Sequence, residues 1–413
     1  MKRLNIAQNR RIYLDSAATT PIKPEVLRIM EQTFKDVYGN PGSLHHEGQE
    51  AIAVVDRARE TIAKAVGAEF RGVVFTGSAT EANNLVLRGS VKQSQVSNLK
   101  SQNGQKPRVI VSAIEHESVL ETARDLQREG AELVVLPVNK EGIVDLKKLR
   151  ESLNERTVIV SIMHVNNEIG TIQPIAEILK IIGELKKSIH SSSAHYPLFH
   201  TDAVQAFQYF PCSFSELGSD LMTISAHKMY GPKGVGALCI NSKFKSQLLL
   251  PIVAGGGQEF GLRSGTENVP LIAGFAKAVE LADKNREKEV KRISELKEYF
   301  WKGLKRIFPK AEINGPKDLK QAVRLSSLRA APHILNVRFP GVSGEEFLIR
   351  LDILGIAISA GSACSMRSAK SSHVLEAIGL SLKQAKESLR FSFGSGTTRK
   401  EIDEVLSRII AKI

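Results

Sequence analysis

The runs TVIVSIMHV at 157–165, YPLFHTDAV at 196–204, DLMTISAHK at 220–228 and GVGALCI at 234–240 decide the fold. Each holds a short stretch of β-branched or apolar residues without polar alternation, the pattern of a strand covered on both faces. VVFT (73–76), RVIVSAIEH (108–116) and ELVVLPV (132–138) repeat it earlier in the chain. Helical spacings lie between them. GQEAIAVVDRARETIAKAVG at 48–67 carries apolar residues three and four apart and closes on Gly67 as a C-cap. GSATEANNLVLRG at 77–89 supplies a glycine turn and a polar N-cap ahead of another helix. Strands alternating with helices predict an α/β fold built on a parallel sheet. In such a sheet the ligand sits beyond the carboxyl ends of the strands.

Composition agrees with a large folded chain. The 413 residues are 42% hydrophobic and 24% charged, ordinary values that exclude a disordered or collagen-like protein. No run approaches the roughly 18 apolar residues of a membrane helix. The formal net charge of +13 makes polyanion contact plausible, but no nucleic-acid motif accompanies it, so a lysine-rich solvated surface explains it more simply. Cys212, Cys239 and Cys364 are an odd count without CxxC spacing, which excludes a disulfide framework or a structural zinc site; no metal ligation is expected. The basic start MKRLNIAQNRR has no apolar stretch after it, so a cytoplasmic location is expected.

Two polar stretches interrupt the alternation. Residues 90–107 carry three lysines and no acid and are predicted to form an exposed loop, with a smaller one near 188–197. After Gly265 a long amphipathic helix is predicted over 273–308, with Ile293, Leu296, Phe300, Leu304 and Ile307 on one face. HILNVRF (333–339), IAIS (356–359) and SLRFSFG (388–394) predict a small sheet in a second, α+β domain.

Chemistry concentrates at the strand ends. HTDAVQ (200–205) places Asp202 just past one buried strand, and SAHK (225–228) places Lys228 just past the next. An amine and a carboxylate facing one crevice fit pyridoxal phosphate: the lysine holds the aldehyde as a Schiff base, and the carboxylate keeps the pyridine nitrogen protonated. An isolated Asp or Lys at a strand end is more often a cap or a solvated charge; the combination carries the reading. TGSAT (76–80), between strand and helix, offers backbone amides and a helix dipole to a phosphate.

Beyond these pairs, the chain resembles the cysteine desulfurases, class V members of the fold type I pyridoxal phosphate enzymes. The resemblance rests on YLDSAATTP (13–21), GNPGSLH (39–45), FTGSATEANN (75–84), EHESVL (115–120), SIMHVNNEIG (161–170), HTDAVQ, SAHKMYGPKGVGAL (225–238), GGGQEFGLRSGT (255–266), SAGSAC (359–364) and LRFSFG (389–394). It implies a large domain over 16–265 with a mainly parallel seven-stranded sheet, and a smaller α+β domain of 1–15 with 266–413. Lys228 matches the Schiff-base lysine, Asp202 the pyridine partner and Gln205 the donor to the ring phenolate. His116 matches the histidine that stacks on the ring and moves protons. Ala79, Thr80, Ser225 and His227 match phosphate and cofactor contacts. Thr266 matches a threonine that reaches the phosphate of the other subunit, which implies a homodimer. Asn167 and Arg390 match the grip on the substrate carboxylate, a role that suits the planar guanidinium fork. The same residues have plainer readings: His116, like His164 and His373, as a core histidine, and Arg390, like Arg338, as half of a structural ion pair.

Cys364 separates relatives. It lies in SAGSACSMRSAKSSHVL, a Gly/Ser-rich stretch predicted to be an exposed loop, beside Arg367 and Lys370; Cys239 lies in an apolar strand and Cys212 follows Pro211. A nucleophilic thiolate needs mobility and basic neighbours. The resemblance makes Cys364 the persulfide cysteine: Lys228 removes the α-proton of L-cysteine, Cys364 attacks the substrate sulfur, and L-alanine leaves. A long loop, Ser365 to Ser372, then carries the persulfide to an acceptor, an iron–sulfur scaffold or a sulfur-relay protein for tRNA thiolation. The 90–107 insertion and the ending at Ile413, without the scaffold-docking extension of the housekeeping branch, depart from the family pattern. A class V aminotransferase would keep Lys228 and Asp202 without needing Cys364; selenocysteine lyase activity is a further alternative.

Overall fold

The computed structural model describes residues 11–96, 106–188, 196–244, 248–317, 329–361 and 371–412. The chain enters through β1 (Ile12–Tyr13), α1 (Pro24–Asp36) and α2 (His46–Val66). Strand and helix then alternate: β2 (Val73–Thr76), α3 (Ala79–Val96), β3 (Arg108–Ser112), α4 (Glu117–Arg128), β4 (Glu132–Leu136), α5 (Leu146–Ser152), β5 (Thr157–Ser161), α6 (Ile175–Ser188) and β6 (Leu198–Asp202). After α7 (Phe214–Leu217), β7 (Leu221–Ser225) and β8 (Gly236–Ile240) comes the long helix α8 (Val269–Ile307). The rest comprises β9 (Glu312–Ile313), β10 (Ile334–Arg338), α9 (Gly344–Ile353), β11 (Ile356–Ala357), α10 (His373–Ala377), α11 (Leu382–Lys386), β12 (Ser388–Ser392) and α12 (Arg399–Lys412).

Seven strands form one sheet in the order β2-β8-β7-β6-β5-β3-β4. All are parallel except β8, which runs against both β7 and β2. Alternate residues of each strand serve opposite faces. Val73 and Phe75 of β2, with Met222, Ile224, Ala237 and Cys239, join the core under α2 and α8. Val74, Val109, Leu221 and Leu238 join the core under α3 and α4. Burial on both sides is why these strands read as unbroken apolar runs. Gly67 closes α2 in the left-handed conformation, as its position predicts.

Three sequence expectations change. The stretch 90–107 does not begin as a loop: α3 runs on to Val96 with Ser90, Val91 and Ser94 buried. Its serines look polar in sequence, yet Ser90 and Ser94 donate their hydroxyls back to the carbonyls of Val86 and Val91, so their burial leaves no donor unmet. The remainder, 97–105, lies outside the described residues, as does 189–195 of the second polar stretch. IAIS meets SLRFSFG only at its last residue, where Ser359 forms an antiparallel bridge with Arg390. β10 and β12 pair antiparallel with β9 at the edge, whereas β11 pairs parallel with β1 in a separate ladder. The amphipathic helix starts before 273, at Val269, capped by the Asn268 side chain and carrying Pro270 in its first turn. Its stripe is as predicted: Ile293, Leu296, Phe300 and Leu304 are buried.

Candidate active site

Strand ends and the N-terminal segment enclose a crevice of about 440 Å³. Ala79, Thr80, His116, Asn167, Asp202, Gln205, Ser225, His227, Lys228 and Arg390 all line it. Of the residues singled out from sequence, Thr266 does not: it is exposed and lines a neighbouring cleft of about 60 Å³ with Phe75, Gly77 and Arg263. Cys364, with Arg367 and Lys370, lies outside the described residues.

Asp202 ends β6, buried, and both its oxygens are engaged. Val204 N–H donates to Oδ1 at 3.0 Å and Asn83 Nδ2 to Oδ2 at 2.9 Å. Two donors on a carboxylate fix its plane. Asn83 was missed from sequence. Its signal was there: a polar side chain on the buried face of α3, among Ala82, Val86 and Leu87, has to serve a partner. The same amide donates to Ser118 Oγ at 2.9 Å. Ser118 Oγ lies 2.8 Å from His116 Nδ1, which also accepts the Ser118 backbone N–H at 3.1 Å. Nδ1 is therefore the acceptor, and the ring proton sits on Nε2. Burial holds His116 below its ordinary value; Asp202 opposes and Lys228 adds to that shift.

Lys228 stands in the turn after β7, its Nζ donating to the carbonyls of Ala17 and Ala18, both at 2.7 Å. Gln205 Nε2 donates to the same Ala17 carbonyl at 2.9 Å, and Gln205 Oε1 meets His333 Nε2 at 3.1 Å. The segment 15–20 is thus a strap over the lysine turn. Thr20 N–H and Oγ both donate to the His227 carbonyl, each at 3.0 Å, and Thr19 Oγ1 meets His227 Nδ1 at 3.2 Å. Burial and neighbouring Lys228 and Lys233 press His227 down to about 3, so it is neutral. The carbonyls of Ala17 and Ala18 were not foreseen, because backbone acceptors leave no mark in a sequence.

Arg390 on β12 is 1% exposed. Nη2 donates to Asp15 Oδ1 and Nη1 to the Asn167 carbonyl, each at 2.8 Å, while the buried Nε has no partner. Asn167 follows Asn166, a second residue missed from sequence. Asn166 is fully buried; its Oδ1 accepts the N–H groups of Glu168 and Ile169, and its Nδ2 donates to the Ile114 carbonyl. It clamps the turn of Asn167 to that of His116. Beneath His116, Glu115 is buried with no cation paired to it among the described residues; Met163 N–H and Ser112 Oγ donate to it, and burial pushes it up to about 8.

At the other end, α3 points its first turn into the crevice. Glu81 N–H is taken by Ser78 Oγ and Ala82 N–H by the Ser78 carbonyl. The amides of Ala79 and Thr80 precede them, where an anion is favoured by geometry and dipole. β8 packs tightly here: a Cβ on Gly236 would lie 2.8 Å from Ser78 C and 2.9 Å from Ala79 N. The set fits pyridoxal phosphate: amides and hydroxyls for a phosphate, a carboxylate for a pyridine nitrogen, an amine for an aldehyde and an imidazole between.

The glycine-rich segment leading to Thr266 is tied down by a buried pair. Arg59 donates from both terminal nitrogens to Glu259, at 2.7 and 2.8 Å, and Phe75 N–H adds a third bond at 2.8 Å. Arg263 joins Glu81 at 2.8 Å, linking the segment to the start of α3.

Comparison with known proteins places this geometry. The aminotransferase class-V family profile matches residues 12–405, so the chain belongs to that family of pyridoxal phosphate enzymes. Within it the chain falls among the cysteine desulfurases. "Cysteine desulfurase IscS" of Dictyoglomus turgidum is 42% identical over 408 residues, 98% of this chain and 95% of the relative. The mitosomal cysteine desulfurase of Trachipleistophora hominis is 40% identical over 98% of this chain and 86% of its own. A solved NifS-like protein superposes with a TM-score of 0.84 at 34% identity, over 98% of this chain and 100% of that one. "SspA in complex with cysteine" does so with 0.74 at 33% identity, over 92% and 98%.

Proposed function

We propose that the chain removes sulfur from L-cysteine, releasing L-alanine and leaving a persulfide on Cys364 that passes to an acceptor protein. The observation that carries this is the convergence of Lys228, Asp202, His116 and Arg390 on one crevice at the strand ends. Pyridoxal phosphate, when bound, withdraws electrons from the substrate α-carbon, which weakens its C–H bond and the neighbouring C–S bond. Asp202, oriented by Asn83 and Val204, pairs with the pyridine nitrogen, and Gln205 with the phenolate oxygen. The amides of Ala79 and Thr80, with Ser225 and His227, hold the phosphate, and Thr266 completes that site from the partner of a homodimer. Arg390 and Asn167 receive the substrate carboxylate. Lys228 Nζ anchors the aldehyde and then carries the proton from the α-carbon. His116 covers the ring with its proton on Nε2. The Cys364 thiolate takes the sulfur.

In this reading residues 16–265 form the cofactor domain, and 1–15 with 266–413 a smaller domain bearing the Cys364 segment. An iron–sulfur scaffold or a sulfur-relay protein serving tRNA thiolation would accept the sulfur, in the cytoplasm. Among the described residues no helix is long and apolar enough to cross a membrane. Purified holoenzyme incubated with L-cysteine should yield alanine, with sulfide released when a thiol reductant is present. Mass spectrometry should find one added sulfur on the peptide holding Cys364. Alanine formation that requires a keto acid would identify an aminotransferase instead.

A further inference from the structure

His333 stands just before β10, 2% exposed and outside the lining of the crevice. Its backbone is held on both sides. The His333 carbonyl accepts the Phe393 N–H at 2.9 Å. Two residues earlier, Ala331 donates its N–H to the Gly170 carbonyl at 2.7 Å, and its own carbonyl accepts from Lys297 Nζ at 2.6 Å. The imidazole stacks on the buried Tyr209 ring, with centroids 4.0 Å apart and planes 16° from parallel, which fixes the plane in which it offers a hydrogen bond.

The partners of Gln205 decide where the His333 proton sits. Gln205 Nε2 donates to the Ala17 carbonyl, which can only accept, so the amide oxygen is the end that meets His333 Nε2 at 3.1 Å. That oxygen also only accepts. His333 Nε2 therefore carries the proton and donates it, while Nδ1, buried with no partner among the described residues, is bare. Burial, together with Lys297, Arg390 and Lys228, holds the ring well below its ordinary value, so it is neutral and has one N–H to give.

The Ala17 carbonyl accepts both Gln205 Nε2, at 2.9 Å, and Lys228 Nζ, at 2.7 Å, so one oxygen gathers the amide nitrogen and the amine. The aldehyde and phenolate of pyridoxal phosphate sit on neighbouring ring carbons, so their partners have to lie together. Ala17 takes one of the two amide N–H groups and leaves the second for the phenolate. We propose that His333 is a positioning residue for the cofactor: by holding Gln205 Oε1 it keeps the amide nitrogen beside Lys228 Nζ, available to the phenolate. This rests on the reading of Gln205 as the phenolate's donor. Without the His333 bond the amide oxygen is buried and unmet, and a single anchor no longer fixes the amide plane.

The test uses holoenzyme of wild type, His333→Phe, His333→Gln, Gln205→Leu and the double change His333→Phe/Gln205→Leu. Each is dialysed to equilibrium at stepped pyridoxal phosphate concentrations, and bound cofactor is read by its visible absorbance. His333→Phe keeps a ring against Tyr209 and loses the donor; it should weaken retention by on the order of 10-fold. His333→Gln puts an N–H near the place of Nε2 and should restore most of it. In the Gln205→Leu background His333→Phe should cost nothing more, because both changes remove the same pairing. Equal weakening in both backgrounds would mark a merely structural role and overturns the proposal, as does wild-type retention in His333→Phe where Gln205→Leu is weakened. Should His333→Phe fail to fold, His333→Gln is set against His333→Asn, whose shorter side chain cannot bring its amide to the place of Nε2; tighter retention by His333→Gln supports the proposal and equal retention overturns it. Unchanged retention in Gln205→Leu overturns the reading of Gln205 on which the proposal stands.

Discussion

Treating the folded protein with iodoacetamide at pH 8 asks which thiol is able to take sulfur, and the two described cysteines give a quantitative expectation. Cys212 is 2% exposed, and burial pushes its thiol up to about 12 despite some help from Arg286. Its Sγ sits 3.9 Å from His164 Nδ1, but burial holds His164 at about 4. That imidazole is neutral at pH 8 and draws out no thiolate. A thiol at about 12 is ionised to about one part in ten thousand at pH 8, against about a quarter for an unperturbed thiol near 8.5. Reaction through the thiolate is therefore slowed by more than about a thousandfold before access is counted. Cys239 on β8 is fully buried, and burial raises its thiol further. One fast equivalent of label per chain should appear, on the peptide containing Cys364, and its appearance should parallel loss of sulfur transfer. Cys212 and Cys239 should react only at the rate of unfolding. Label on either of them within the fast phase, or loss of sulfur transfer in Cys212→Ala, would refute the elimination.

Lys228→Ala should remove both the visible cofactor absorbance and all turnover; activity retained without that absorbance contradicts the cofactor assignment. Mixing inactive Lys228→Ala and Thr266→Ala homodimers, with subunit exchange shown independently, should regain activity if Thr266 acts across the interface. Glu259→Gln strands the buried Arg59 guanidinium and should cost about 3–5 kcal/mol in denaturant unfolding, and an unchanged midpoint would show the pair to be incidental. Acid stability has a worked sign. His164 and His200, held at about 4 and about 3 by burial, bind protons only after unfolding, so the stability they contribute above pH 6.5 is lost as pH falls, about 2 kcal/mol each between pH 7 and 5. Glu115, at about 8, is protonated in the folded state and returns about 2–3 kcal/mol over that interval. Glu115→Gln should therefore steepen acid destabilisation by that amount, and parallel curves for the two proteins would contradict it.

The main sheet was legible because burial on both faces leaves uninterrupted apolar runs, and Asp202 and Lys228 because they sit where two such runs end. The short ladders were not. Ile356–Ala357 carries too few residues to show whether it extends the small sheet or pairs with Ile12–Tyr13, and nothing local chooses between them. Ser90 and Ser94 read as solvent-facing because a hydroxyl that satisfies itself within its own helix looks the same in sequence as one bonded to water. Asn83 and Asn166 carried a visible signal, polarity inside apolar surroundings, whereas the carbonyls of Ala17 and Ala18 carried none. Thr266 shows a different limit: its motif is plain, but within one chain it faces a separate cleft.

The strap of residues 15–20 has a consequence for how the protein comes into being. Asp15 meets Arg390, Ser16 N–H bonds to the Ser392 carbonyl, and the next two residues supply the carbonyls that receive Lys228. On a ribosome the strap is made long before its β12 partners, 375 residues away. Contacts of such sequence separation form late, because loop closure must be met before they contribute. The nascent chain can assemble β2 to β8 while the lysine turn still stands uncovered, so the crevice gains its roof only once β12 has been made. Cofactor retention therefore reports on the presence of β12, and a ribosome-stalled product ending before β12 should hold pyridoxal phosphate loosely even with every strand of the large sheet in place.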